Sequence, residues 1–259
     1  MRKIGLTAII FVALWLMCTP IWKEEMIRFQ SVQLVNQEND KGAVNQKQPT
    51  ENQLSQVVEA PKLREVFQNF AENKANLASK IGQIAIPSID LQLAVLEGTT
   101  QNHLMVGATT MQPDQVMGEG NYSLAGHHMR SEHALFSPLM KIKKGAAVYL
   151  TDGTTNYYYQ VSRTMLVNEK EVSVLKDTES PRLTLVTCDK PTATDKRWVV
   201  QATLKSKTPM NQQAESHAFF GKKKATAILL IVVFSHLALL VLAVFLMVVI
   251  EKIRKRRAR

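Results

Sequence analysis

Cysteine is nearly missing from this chain: Cys18 and Cys188 are the only two in 259 residues. That excludes a disulfide-stapled scaffold and a structural zinc cluster built on thiolates. Charged side chains make up 21% against 46% hydrophobic, which excludes a wholly disordered chain, a collagen-like one or a coiled coil. No internal repeat is present, and the spacing of His127, His128 and His133 fits no zinc template. The net charge of +10 is unevenly spread: residues 1–59 hold 6 basic and 6 acidic side chains, residues 60–207 hold 17 and 14, and residues 208–259 hold 9 and 2. The excess therefore lies beside an apolar run at the end of the chain, which points to a membrane edge rather than a nucleic-acid groove.

Two uncharged runs frame the sequence. Ile4 to Trp22 is about 19 residues long, enough to cross a ~30 Å hydrocarbon layer as a helix. Arg2 and Lys3 precede it, which places the N-terminus in the cytoplasm. A cleaved secretory signal is the alternative, but no A-x-A-like site comes after Trp22, so residues 1–29 are read as an uncleaved anchor. On either reading the chain beyond Trp22 is exported. The second run, residues 225–250, is interrupted only by Thr226, Ser235 and His236, and ends in the basic tail 251–259. That asymmetry puts the C-terminus inside as well. The expectation is a two-pass membrane protein with both termini cytoplasmic and the intervening residues extracellular.

Residues 30–80 read as a stalk, rich in Gln, Asn, Glu and Ser, with a short amphipathic helix over 62–79 on which Leu63, Val66, Phe67, Phe70 and Leu77 share a face. From Ile81 the pattern changes to strands. IGQIAIPSI, LQLAVL, NYSLAG, AAVYLTDG, TNYYYQVSRTMLV, PRLTLVTC and RWVVQATL are each β-prone and bounded by turn residues. Seven or eight short strands in roughly 125 residues predict a small all-β domain, closed or sandwiched, over 81–207. The polar residues after Leu204 lead into a tether, 208–224.

The candidate chemistry lies at strand ends. Cys188 closes the run LTLVTC and opens a loop, where a rigid strand can hold a nucleophile. An unpaired thiol outside the cell is itself unusual. His127 ends YSLAGH just after Gly126, and Arg197 opens RWVVQATL beyond the Cys188 loop. If these three ends converge, thiol, imidazole and guanidinium supply a nucleophile, a proton carrier and an anion stabiliser. His128 adjoins His127, but strand neighbours point to opposite faces, so it reads as a loop residue.

LTLVTC, the AGH of Ala125 to His127, and Arg197 at the start of a following strand together resemble a sortase, a membrane-anchored cysteine transpeptidase of Gram-positive bacteria. IGQIAIPSIDLQLAVLEG, GEGNYSLAGHHM and LFSPLMKIKKGAAVYLTDG resemble the class A, housekeeping branch, and the likeness covers about Ile81 to Leu204. It implies an all-β, eight-stranded closed β-barrel with short helices, here flanked by N- and C-terminal transmembrane helices. The second anchor departs from the class A pattern and is more familiar in class C, the pilin polymerases, yet the aromatic lid motif of that class is absent from residues 30–80.

The implied reaction cleaves an LPxTG-type sorting signal of a secreted protein between Thr and Gly. Cys188 forms a thioester, His127 moves protons, Arg197 steadies the oxyanion, and the amine of a lipid II-like peptidoglycan precursor accepts the acyl group. Thr187, Val174, Leu175 and Ala125 are the positions that the resemblance assigns to substrate binding. No cofactor is expected. Asp114, Glu119, Glu169 and Glu171 resemble loop acids that bind calcium in some relatives, although ordinary solvated charge explains them as well. Two other readings stay open: a cysteine hydrolase with water as acceptor, and a non-catalytic β module that binds a partner.

Overall fold

The computed structural model describes residues 22–37 and 79–209, with scattered helical positions between 234 and 253. The chain forms two compact units, Met1–Phe29 with Lys224–Arg259 and Gln30–Lys223. In the first, Trp22 Nε1 donates to Ser235 Oγ at 3.1 Å. Among the described residues no helix is long and apolar enough to cross a membrane. Most of the two expected anchors, the tether, the basic tail and the amphipathic helix of 62–79 lie outside the described residues.

The second unit is built on eight strands: β1 Lys80–Ile86, β2 Leu91–Leu96, β3 Ala108–Thr110, β4 Asn121–Ala125, β5 Ala147–Thr151, β6 Thr155–Asn168, β7 Arg182–Cys188 and β8 Lys196–Pro209. They close into a barrel in the order β1-β2-β3-β4-β7-β8-β6-β5. Closure pairs every strand on both sides and removes the exposed edges that invite aggregation. β1 and β2 form a hairpin through the 3-10 turn Pro87–Ile89, with Asp90 left-handed at φ 48°. A short helix, Gln101–Leu104, carries the chain over to β3, which runs parallel to β2. β4 and β7 are also parallel, and β8 runs antiparallel to both β7 and β6.

Three expectations need correction. β3, with only three residues, carries too short an alternation to be seen in sequence. β8 does not stop at Leu204 or at 207 but runs to Pro209, because the 14-residue β6 pairs with it along its whole length, down to Thr155 opposite Pro209. The stalk is ordered at its start: residues 22–36 are helical, so the helix reaches seven residues into the expected stalk. Leu34 and Val35 are buried, and the carbonyls of Leu34, Val35 and Gln37 accept from Lys80 Nζ on β1. A lysine across the last turn satisfies carbonyls that a helix end leaves without partners.

Candidate active site

β7 lies between β4 and β8, and its register decides what meets at its end. Ala125 of β4 aligns with Val186, and the ladder continues past the strand as Gly126 N–H donates to Val186 O at 3.1 Å. His127, two residues after Ala125, therefore comes level with Cys188, two residues after Val186. On the other side Cys188 aligns with Arg197 and Val186 with Val199. Side chains two apart along a strand share a face. Cys188 and Arg197 thus stand in one row on β7 and β8, on the face that carries Val186 and Val199, and His127, two residues past the end of β4, comes level with them. Leu183, Leu185 and Leu124 point the other way.

Cys188 is half-buried and Arg197 buried. Burial pushes the Cys188 thiol up from its ordinary range; Arg197 pulls it down, while Asp189 and Glu169 push it further up. Burial is the largest of these influences. The guanidinium is fixed from two directions. Its Nη2 donates to Glu169 Oε2 at 2.8 Å, and its Nη1 to the carbonyls of Thr194 at 2.8 Å and Lys196 at 3.1 Å. Three of the five guanidinium N–H donors are committed in this way, and two are left over.

His127 is 2% exposed. Its backbone is clamped where β4 ends: Phe136 N–H donates to its carbonyl at 3.0 Å, and Thr187 Oγ1 to the carbonyl of Gly126 at 2.8 Å. Residue 126 must be glycine, since a Cβ there would come within 2.6 Å of the Phe136 ring. Thr187 itself points away from the Cys188 face, and its hydroxyl works as a cross-strand brace beside His127. His128 lies outside the row, yet it touches the nucleophile's backbone: Nδ1–H donates to the Cys188 carbonyl at 2.9 Å. Sequence reasoning missed that bond, as it missed the Glu169–Arg197 pair; neither leaves a spacing signal along the chain.

Away from the row, the same face becomes apolar. Val186 and Val199 pack with Met111, Val174 and Leu175 into one buried cluster, joined by Ala125, Met165 and Val167. Ala125, Val174 and Leu175 are thereby brought together around Val186, two residues before Cys188 on β7, with Val174 and Leu175 on a 3-10 helix, Val172–Leu175, in the β6–β7 connection. The four acids considered for calcium are dispersed in role: Glu169 holds Arg197 and Glu171 accepts from Ser173 Oγ, while Asp114 and Glu119 are exposed in the β3–β4 loop. No group of three or more His, Cys, Asp or Glu side chains with metal-holding geometry occurs among the described residues.

Residues 84–205 match the family model described as Sortase domain. Sortase A of Listeria monocytogenes serovar 1/2a is 39% identical over 225 residues, covering 86% of this chain and 100% of that protein. Sortase A of Bacillus anthracis is 37% identical over 159 residues, 61% of this chain and 74% of that protein. The crystal structure of Listeria monocytogenes sortase A aligns with a TM-score of 0.54 at 49% identity, covering 56% of this chain and 99% of that one.

Proposed function

The chain belongs to the sortase family with a class A-like core, a cysteine transpeptidase that anchors proteins to the cell wall, and we propose that it acts on an LPxTG-type signal through Cys188, His127 and Arg197. The observation that carries this reading is the register: the thiol that ends β7 is paired with the guanidinium of β8, and the imidazole follows two residues past the end of β4, where β4 runs beside β7. In the first step His127 takes the thiol proton as the Cys188 sulfur attacks the Thr–Gly carbonyl carbon, and the oxyanion is met by the guanidinium donors that Glu169 and the two carbonyls leave over. The C–N bond breaks as His127 gives its proton to the departing glycine amine, leaving a thioester. In the second step an acceptor amine attacks the thioester carbonyl, His127 takes the amine proton, the C–S bond breaks, and the departing sulfur takes that proton back from His127. Oxyanion donors of this kind lower the barrier by about 3–4 kcal/mol each.

The acyl-donor peptide lies along the apolar face, with Val174, Leu175 and Ala125 against its Leu-Pro pair, and the acceptor is a lipid II-like amine. This chemistry calls on no cofactor. We place the enzyme at the cell membrane as a two-pass protein with an extracellular catalytic domain, on the strength of the two uncharged runs and their flanking charge. The test is a fluorogenic LPxTG peptide given to the full-length chain, with and without oligoglycine. A ligated product with a thioester trapped on Cys188 is expected. Cleavage that ignores the amine would make it a hydrolase, and undiminished turnover in Cys188→Ala would remove the nucleophile.

A further inference from the structure

Strands with apolar neighbours have little use for buried carboxamides, yet Asn121 heads β4 and Gln201 sits within β8, both buried, with buried Thr184 of β7 aligned to Gln201. A buried amide is costly unless it is hydrogen-bonded. These are bonded, and their bonds converge on one segment. Asn121 Nδ2 donates to the carbonyls of Val174 and Lys176, both at 2.9 Å, and its Oδ1 accepts from Thr184 Oγ1 at 2.6 Å. Gln201 Nε2 reaches the Val174 carbonyl at 3.4 Å, and Gln112 Nε2 donates to the Leu175 carbonyl. Three consecutive carbonyls at the end of the Val172–Leu175 helix, the groups a helix terminus leaves without partners, are each taken by a carboxamide.

The next residue is held too. Asp177 Oδ1 accepts from the N–H groups of Asn121 at 2.8 Å and Thr178 at 2.9 Å. Gly120, at φ +47°, makes the approach possible, since a Cβ there would lie 2.0 Å from that oxygen. The β6–β7 segment is thus fastened to the head of β4 by Asn121, to the interior of β8 by Gln201 and to the β3–β4 loop by Gln112. Val174 and Leu175 face the cluster of Val186 and Val199 from a fixed position.

We infer that Asn121 is a positioning residue that sets acyl-donor selectivity: with Gln112 and Gln201 it holds Val174 and Leu175 as a pre-formed apolar wall before any peptide arrives. The inference rests on the proposed reading of that wall as the seat of the Leu-Pro pair. A wall ordered in advance spares the peptide the entropy of ordering it, so loosening it raises KM and leaves the chemical step alone.

The experiment compares full-length wild-type, Asn121→Ala and Asn121→Asp on an LPxTG peptide and on the same peptide with its leucine replaced by alanine. Asn121→Ala is expected to raise KM for the leucine peptide roughly tenfold with kcat within about twofold, and to change the alanine peptide by less than about twofold. The rate at which iodoacetamide alkylates Cys188 stays as in wild type. Asn121→Asp keeps the shape but faces the carbonyls with acceptor oxygens, so it fails to rescue; full rescue would reduce Asn121 to a space-filler and overturn the inference. Should Asn121→Ala not fold, Gln112→Ala carries the same comparison through Leu175 alone, with an expected KM rise of roughly threefold. An unchanged preference for leucine in every variant overturns the inference while the function stands. A wild-type enzyme that treats both peptides alike overturns the reading of the wall, and the inference with it.

Discussion

Two buried cations on different sides of the barrel are handled in contrary ways. Lys80 on β1 and Arg197 on β8 are 6% and 4% exposed, and in the closed strand order β5 and β6 separate β1 from β8. Lys80 donates to three backbone carbonyls, and burial pushes its amine down to about 8. Arg197 has two carbonyls and the Glu169 carboxylate. A lysine surrenders its proton when desolvated, whereas a guanidinium stays charged at any pH the fold survives. The side of the barrel that fastens a helix end tolerates a titratable cation; the side proposed to steady an oxyanion carries a guanidinium.

The sharpest way to break that contrast is to give the active site the other kind of cation. Arg197→Lys keeps a positive charge but loses the planar fork that bonds Glu169, Thr194 and Lys196 at once. kcat/KM for the sorting peptide is expected to fall on the order of a hundredfold, the scale of one lost oxyanion donor. Steady-state kinetics of the variant at constant pH measure it. Near-wild-type activity would mean that charge alone suffices and that the guanidinium geometry is incidental.

The second effect is on stability. Lys80→Met removes the donor from the carbonyls of Leu34, Val35 and Gln37, the second of which also accepts from Gln83 Nε2 at 3.2 Å. Carbonyls left without partners in a buried site cost about 1–3 kcal/mol. Denaturant unfolding should show that loss, hydrogen exchange should quicken at 34–37, and turnover should stay within about twofold because β1 is remote from Cys188. The pH dependence has a definite sign. The folded chain holds the Lys80 proton more weakly than the unfolded chain does, so between about pH 8 and 10.5 the unfolded state binds the extra proton and stability due to Lys80 rises with pH. Lys80→Met should flatten that rise.

The two cations also differ in how far the sequence announces them. Arg197 follows a loop that begins at a strand-final cysteine, and the alternation counted back from Cys188 through Val186 and Thr184, or forward from Arg197 through Val199 and Gln201, already lays out one face. The all-β domain was legible for that reason, while its closure into a barrel and the roles proposed for Cys188, His127 and Arg197 came from the resemblance to sortases. Lys80 was not, because its partners lie more than forty residues away at a helix end that composition describes as stalk. Asn121 and Gln112 were hidden likewise: their bonds to the β6–β7 segment span more than fifty residues and follow no period. Strand register makes a face readable, while side-chain bonds to distant backbone become visible only once the chain is folded.

The smallest expected effect separates the charge of Arg197 from its tether. Glu169 both holds the guanidinium at 2.8 Å and adds a negative field that raises the Cys188 thiol. Glu169→Gln keeps an acceptor for Nη2 and removes the field. The thiolate is then better stabilised at a given pH, since the pull of Arg197 is no longer offset from that side. The alkylation rate of Cys188 followed against pH should rise through a lower midpoint in Glu169→Gln than in wild type. Burial, the largest cause of the upward shift, is untouched, so the midpoint should still lie above that of a free cysteine. A midpoint that moved upward would mean that Glu169 serves chiefly to aim the guanidinium at the sulfur, and that fixing Arg197 in place matters more to the thiolate than the charge beside it.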